Sequence, residues 1–112
     1  MIVVNTEELQ AEQRQNVFIK TIFSERDLEG GTARFGIVTI PPKARIPFSG
    51  TSVHEEDEYS IVIKGSILAG TGGGKKFRLS AGDASLIPAG EAHWAYNDGE
   101  EICMIVWVLI RR

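Results

Sequence analysis

The stretch SVHEEDEYSIVIKG, residues 52–65, sets one of the chain's two histidines beside four consecutive carboxylates, Glu55, Glu56, Asp57 and Glu58. Such a cluster is either a solvated loop edge entering a strand or the first half of a chemical site. Side chains alternate along an extended segment, so Ser52, His54 and Glu58 share one face, while Glu55 and Asp57 point away. Glu56 has the inward parity but falls at the expected turn. Most of the acidic crowd therefore reads as a solvated edge, with Glu58 the exception. A carboxylate facing the inside of a β-barrel, ahead of YSIVIKG, is costly unless it is paired or coordinated. A bound divalent cation removes that cost. It needs an ionised carboxylate and neutral imidazoles, so its affinity is expected to fall in acid.

The second histidine lies in GDASLIPAGEAHWAYN, which fits G-x5-P-x-G-x2-H-x3-N at Gly82, Pro88, Gly90, His93 and Asn97. This pattern resembles the second signature motif of the cupin superfamily. The stretch around His54 resembles the first motif, H-x-H-x3,4-E-x6-G. Glu58 and Gly65 match it, His54 stands where the second histidine belongs, and Ser52 replaces the first. The resemblance implies an all-β fold, a double-stranded β-helix or jelly-roll barrel, usually dimeric, with a metal in its mouth. It reduces the usual three histidines and one glutamate to His54, Glu58 and His93. Two imidazoles and one carboxylate are the ligand set of a facial triad with open positions, which accepts Fe, Mn, Ni, Co or Zn. Ser52 then either bonds a metal-bound water or marks a cupin that has lost its metal and only binds a ligand. Gly65, Gly82 and Gly90 read as turn glycines, and Asn97 as a turn residue outside the ligand set.

The elements that must position these residues are short. Asn5, with Glu8 three residues on, is expected to cap one helical turn through TEELQAEQ. Strands are expected at 16–23, 33–40, 58–65, 66–70, 76–79, 84–88, 92–97 and 102–110, separated by polar or glycine-rich turns. That regular spacing indicates an all-β sandwich or barrel, with residues 1–112 as one domain. Parity with Glu58 and His93 places Ser60, Val62 and Ala95 inward, and Trp94 and Tyr96 outward. Phe35, Ile37 and Thr39 are candidate wall residues, and Arg45 is placed to reach the mouth and hold an anionic substrate. A wall of such mixed polarity suits a small polar ligand better than a lipid. The last strand is apolar on both faces, Cys103, Ile105, Trp107 and Leu109 on one and Ile102, Met104, Val106 and Val108 on the other. The second face therefore needs a cover, and a homodimer is expected.

Composition excludes other classes. Hydrophobic residues make up 43%, ordinary for a globular chain, and the net charge is -3. With no basic stripe, nucleic acid is not an expected partner. The longest apolar run, Ile102 to Ile110, is too short to span a bilayer, so no membrane partner is expected. The N-terminal segment lacks the features of a signal peptide. Cys103 is the only cysteine, which rules out an internal disulfide and fits a reducing, cytoplasmic setting. GTGGGKK lacks the first glycine and the hydroxyl residue of a phosphate loop and reads as a hairpin tip. Arg111 and Arg112 read as a solubilising tail. Two functions compete. One is a metalloenzyme of isomerase, lyase or dioxygenase type acting on a small oxygen-rich molecule, with Glu58 a ligand and only Glu56 or Tyr59 available as a base. The other is a non-catalytic small-molecule binding or sensor module.

Overall fold

The computed structural model describes residues 1–112. Ten strands follow in order: β1 Glu12–Arg14, β2 Val17–Phe23, β3 Ala33–Ile40, β4 Arg45–Ile46, β5 Asp57–Lys64, β6 Ser66–Thr71, β7 Lys76–Ser80, β8 Ala84–Ile87, β9 His93–Tyr96 and β10 Cys103–Ile110. They form a six-stranded sheet, β1-β2-β3-β10-β5-β8, facing a four-stranded sheet, β4-β9-β6-β7, and the ladders are antiparallel. This all-β architecture fits a jelly roll. No helix is long and apolar enough to cross a membrane.

The expected helical turn exists but is shorter. Asn5 Oδ1 accepts the Glu7 N–H at 2.9 Å and caps a 3-10 turn over Thr6–Glu8. The residues that follow it instead become β1, because pairing with β2 supplies hydrogen bonds that a short solvated helix could not match. A second 3-10 turn, Glu25–Asp27, carries a complete capping box from Ser24 and Asp27. The glycine-rich tip turns β6 into β7, as its composition requires.

Register fixes which side chains face inward. In one cross-strand row Ile19, Val38, Ile105 and Val62 are neighbours, and in another Arg34, Leu109, Glu58 and Ile87. The apolar core is Val17, Val38, Ile40, Ala44, Val62, Ile67 and Cys103. Ile40, Ile67 and Cys103 are fully buried, so the Cys103 end of β10 is the closed end of the barrel and the Leu109 end is open. Gly36 makes room in the inner wall for the Trp107 indole, which a Cβ at this position would overlap. Burial on this scale contributes roughly 1.5–3 kcal/mol for each large aliphatic side chain.

Two expected surface or turn residues are structural. Asn97 is fully buried. Its Nδ2 donates to Ile40 O at 2.9 Å and Glu101 O at 2.7 Å, and its Oδ1 accepts from Gly99 N at 3.0 Å. Arg112, expected in a solubilising tail, instead pairs with the nearly buried Asp57, Nε to Oδ2 at 2.6 Å.

Candidate metal centre

The two histidine-bearing segments are fastened to each other by backbone before any side chain meets. Ser52 N donates to His93 O at 2.8 Å, His93 N donates to Ser52 O at 3.0 Å, and Gly90 N donates to His54 O at 2.9 Å. The Gly90 turn needs its positive φ of 86°, which glycine adopts without a Cβ penalty. Asp57 Oδ1 accepts the Ala89 N–H at 2.8 Å and draws the same turn onto β5.

These contacts bring His54, Glu58 and His93 together, with one ligand atom from each lying within 4.8 Å of the others. His54 Nε2 is 3.4 Å from Glu58 Oε1. The two imidazole rings meet edge to face, centroids 4.9 Å apart. Each Nδ1 is committed to a backbone carbonyl, His54 to Glu56 O at 2.8 Å and His93 to Glu91 O at 2.9 Å. A carbonyl can only accept, so each Nδ1 carries a proton, and in the neutral imidazole the lone pair is then left on Nε2. His54 Nε2 is buried without a hydrogen-bond partner. A lone pair facing a carboxylate oxygen is repelled by it unless a cation or proton lies between them. Two bonds of about 2.0–2.2 Å to one ion would set their donor atoms about 3–3.5 Å apart, so the observed spacing fits a shared metal. Ser60 Oγ donates to Glu58 Oε2 at 3.2 Å, which holds the carboxylate and leaves Oε1 turned to the imidazole.

The three residues border a cavity of about 280 Å³ whose wall is mainly apolar. Ser52, Ser60 and Ala95 line it, on the parity expected for them. Phe35, Ile37 and Thr39 do not. The alternate residues of β3, Arg34, Val38 and Ile40, line it instead. ARFGIVTI is apolar at both parities, so its composition gave no phase, and pairing with β2 and β10 set it. Arg45 also lies outside the cavity. Its Nη1 donates to Pro47 O at 2.8 Å and its guanidinium stacks 5.3 Å from the Trp94 ring centre, because Ile46, its neighbour on β4, takes the inward place. Neither base candidate reaches the cavity. Tyr59 is exposed on the outer side of β5, and Glu56 offers its backbone carbonyl to His54. Arg14, Thr21, Arg34 and Ser85, which belong to no motif in the sequence, also line the cavity. For Arg34 the signal was its shared parity with Val38 and Ile40.

A family description of the cupin domain matches residues 36–109, and the chain belongs to the cupin family. Solved structures share its fold throughout. A protein described as a predicted oxalate decarboxylase from Thermotoga maritima is 23% identical, with a TM-score of 0.87 over 99% of this chain and 100% of that one. The polyketide cyclase RemF from Streptomyces resistomycificus is 19% identical, TM-score 0.83, over 100% of this chain and 80% of that one. The cupin domain of an XRE family transcriptional regulator from Enterobacter cloacae is 15% identical, TM-score 0.73, over 88% and 99%. At these identities the likeness carries the fold alone. No curated protein is similar enough to this chain to inform its function.

Proposed function

We propose that the chain is a metal-dependent cupin enzyme, of isomerase, lyase or dioxygenase type, acting on a small oxygen-rich polar substrate. His54, Glu58 and His93 would hold one divalent ion. The observation that carries this reading is the buried, partnerless Nε2 of His54 facing Glu58 Oε1 at 3.4 Å, with both histidine tautomers set by backbone carbonyls. When bound, such an ion supplies Lewis acidity, polarising a carbonyl or lowering the pKa of bound water. The protein's own part is to orient and enclose. Ser60 fixes Glu58, Ser52 sits beside His93, and the apolar floor of Ile40, Val62 and Ile67 excludes water, which strengthens polar contacts made above it.

One observation favours a second reading, a binding or sensor module. Apart from the three proposed ligands, the ionisable side chains lining the cavity are Arg14 and Arg34, both poor bases. The likeness to a regulator's cupin domain fits that reading equally well. Metal content and turnover separate the possibilities. Protein purified without chelator is expected to carry close to one equivalent of metal, and His93→Ala and Glu58→Gln little. Equal content in all three would remove these residues as ligands. Turnover within a panel of hydroxy acids, sugars and diketones selects the enzyme, whereas stabilisation without conversion selects the module.

We further propose that the chain forms a homodimer through the outer face of the six-stranded sheet. Phe18, Tyr59, Ile61, Ile63 and Leu86 are exposed there, around the half-buried Val106 and Val108. The N-terminal segment leaves Tyr59, Ile61, Ile63 and Leu86 of this face exposed. It reaches the sheet at Lys20, whose Nζ donates to Thr6 O at 3.0 Å, while Met1, Ile2 and Val3 stay exposed. A contiguous apolar face of this kind is the usual mark of an interface.

A further inference from the structure

We propose that Arg34 is the specificity-determining residue of this site and binds a carboxylate of the substrate. The substrate is then a small hydroxy or keto acid bearing a second carboxylate remote from its metal-binding end. The inference rests on the metal-site reading above and adds the far end of the ligand.

Arg34 faces the cavity from β3, in the same cross-strand row as Glu58, with Leu109 between them. Neighbouring strands lie about 4.8 Å apart, so two steps place the Arg34 and Glu58 backbones about 10 Å from each other at one height in the barrel mouth. The Arg34 Nε is buried without a hydrogen-bond partner. None of the protein's ion pairs includes its guanidinium. A buried cationic donor left unpaired is unfavourable, and the planar guanidinium matches a carboxylate through two parallel hydrogen bonds. Leu109 and Trp107 form an apolar span between the two polar ends, suited to the carbon chain of the ligand.

Arg14 is the weaker anchor. It also borders the cavity, but its side chain is 61% exposed and its Nε already pairs with Glu12 at 3.0 Å. Its charge is met and screened by water, whereas Arg34 has no ion-pair partner and its Nε is buried.

The test uses lactate, malate and 2-hydroxyglutarate, which share a hydroxy-acid head. Lactate lacks a distal carboxylate, and the other two carry one at different reach. Each is titrated calorimetrically into Mn(II)-loaded and metal-stripped protein, for the wild type, Arg34→Gln, Arg34→Lys and Arg14→Gln. Metal content and thermal unfolding are measured on every sample. The wild type is expected to prefer one of the two dicarboxylates over lactate by about tenfold or more. Arg34→Gln loses that preference with lactate affinity unchanged, Arg34→Lys keeps part of it, and Arg14→Gln keeps it. The proposal is overturned if the wild type shows no preference, if Arg34→Gln retains it, or if the preference follows Arg14. Should Arg34→Gln not fold, Arg34→Lys decides: full retention of the preference overturns the proposal, and partial loss supports it. Failure of the metal reading appears separately, as no manganese uptake by the wild type. The stripped protein then decides for Arg34, by a malate or 2-hydroxyglutarate preference that is lost in Arg34→Gln or by its absence in the wild type.

Discussion

The carboxylate of Asp57 accepts the backbone N–H of Ala89 at 2.8 Å, joining two segments that lie 32 residues apart. Arg112 closes on the same carboxylate from the end of β10. One acidic residue beside Glu58 thereby holds the Pro88-Ala89-Gly90 turn against β5, and with it the segment that delivers His93.

This arrangement makes stability depend on pH. The Ala89 N–H, and after it Arg112, hold the Asp57 carboxyl below its ordinary value. A depressed folded value means that the contribution to stability is complete above the unfolded value of about pH 4 and is lost as pH falls through the folded one. Asp57→Asn is expected to melt lower than the wild type at about pH 7, with the gap closing below about pH 4. Melting temperatures of both proteins across that range check it, and a gap that does not change with pH would refute it.

Ser60 hydrogen-bonds Glu58 and neither of the other proposed ligands. Ser60→Ala is expected to weaken metal binding by about tenfold or more while leaving the melting temperature of the metal-free protein nearly unchanged. Competition against a chromophoric chelator measures the first, and calorimetry the second. Unchanged metal affinity would show that the hydroxyl does not tune the carboxylate.

Cys103 is fully buried in the closed end of the barrel, and burial pushes its thiol up to about 11. The thiolate is the reactive form, so labelling by a maleimide at neutral pH is expected to be slow and limited by unfolding. Denatured protein should react at once. Rapid labelling of the folded chain would contradict the burial.

Ile61 lies at the centre of the exposed outer face, paired with Val106 and Ala84. Ile61→Glu is expected to convert the proposed dimer into a monomer with its metal content intact. Light scattering after gel filtration reads the mass. A wild type that is already monomeric removes the dimer.

How much was legible in the sequence differs between these features. Strand positions from residue 16 onward, the two-residue β4 excepted, were visible because β-branched runs alternate with glycine and polar turns, a signal local to each segment. The histidines and the glutamate were visible because motif spacing and the alternation of side chains along β5 are also local. The pairing of Arg112 and the burial of Asn97 were not legible for the opposite reason. Asp57, the partner of one, and Ile40 O, which ties the turn residue Asn97 into the core, are distant in the chain.

The sequence by itself determined an all-β chain, its main strands, and an imidazole–carboxylate cluster in cupin spacing, because propensity and period act over a few residues. Only the tertiary structure decided which parity of β3 faces inward. That choice removed Phe35, Ile37 and Thr39 from the cavity and put Arg34 there. Strand register is set by pairing with partners far along the chain, and a slip of one residue exchanges the two faces of a strand. In a strand apolar on both sides, no local pattern records that choice.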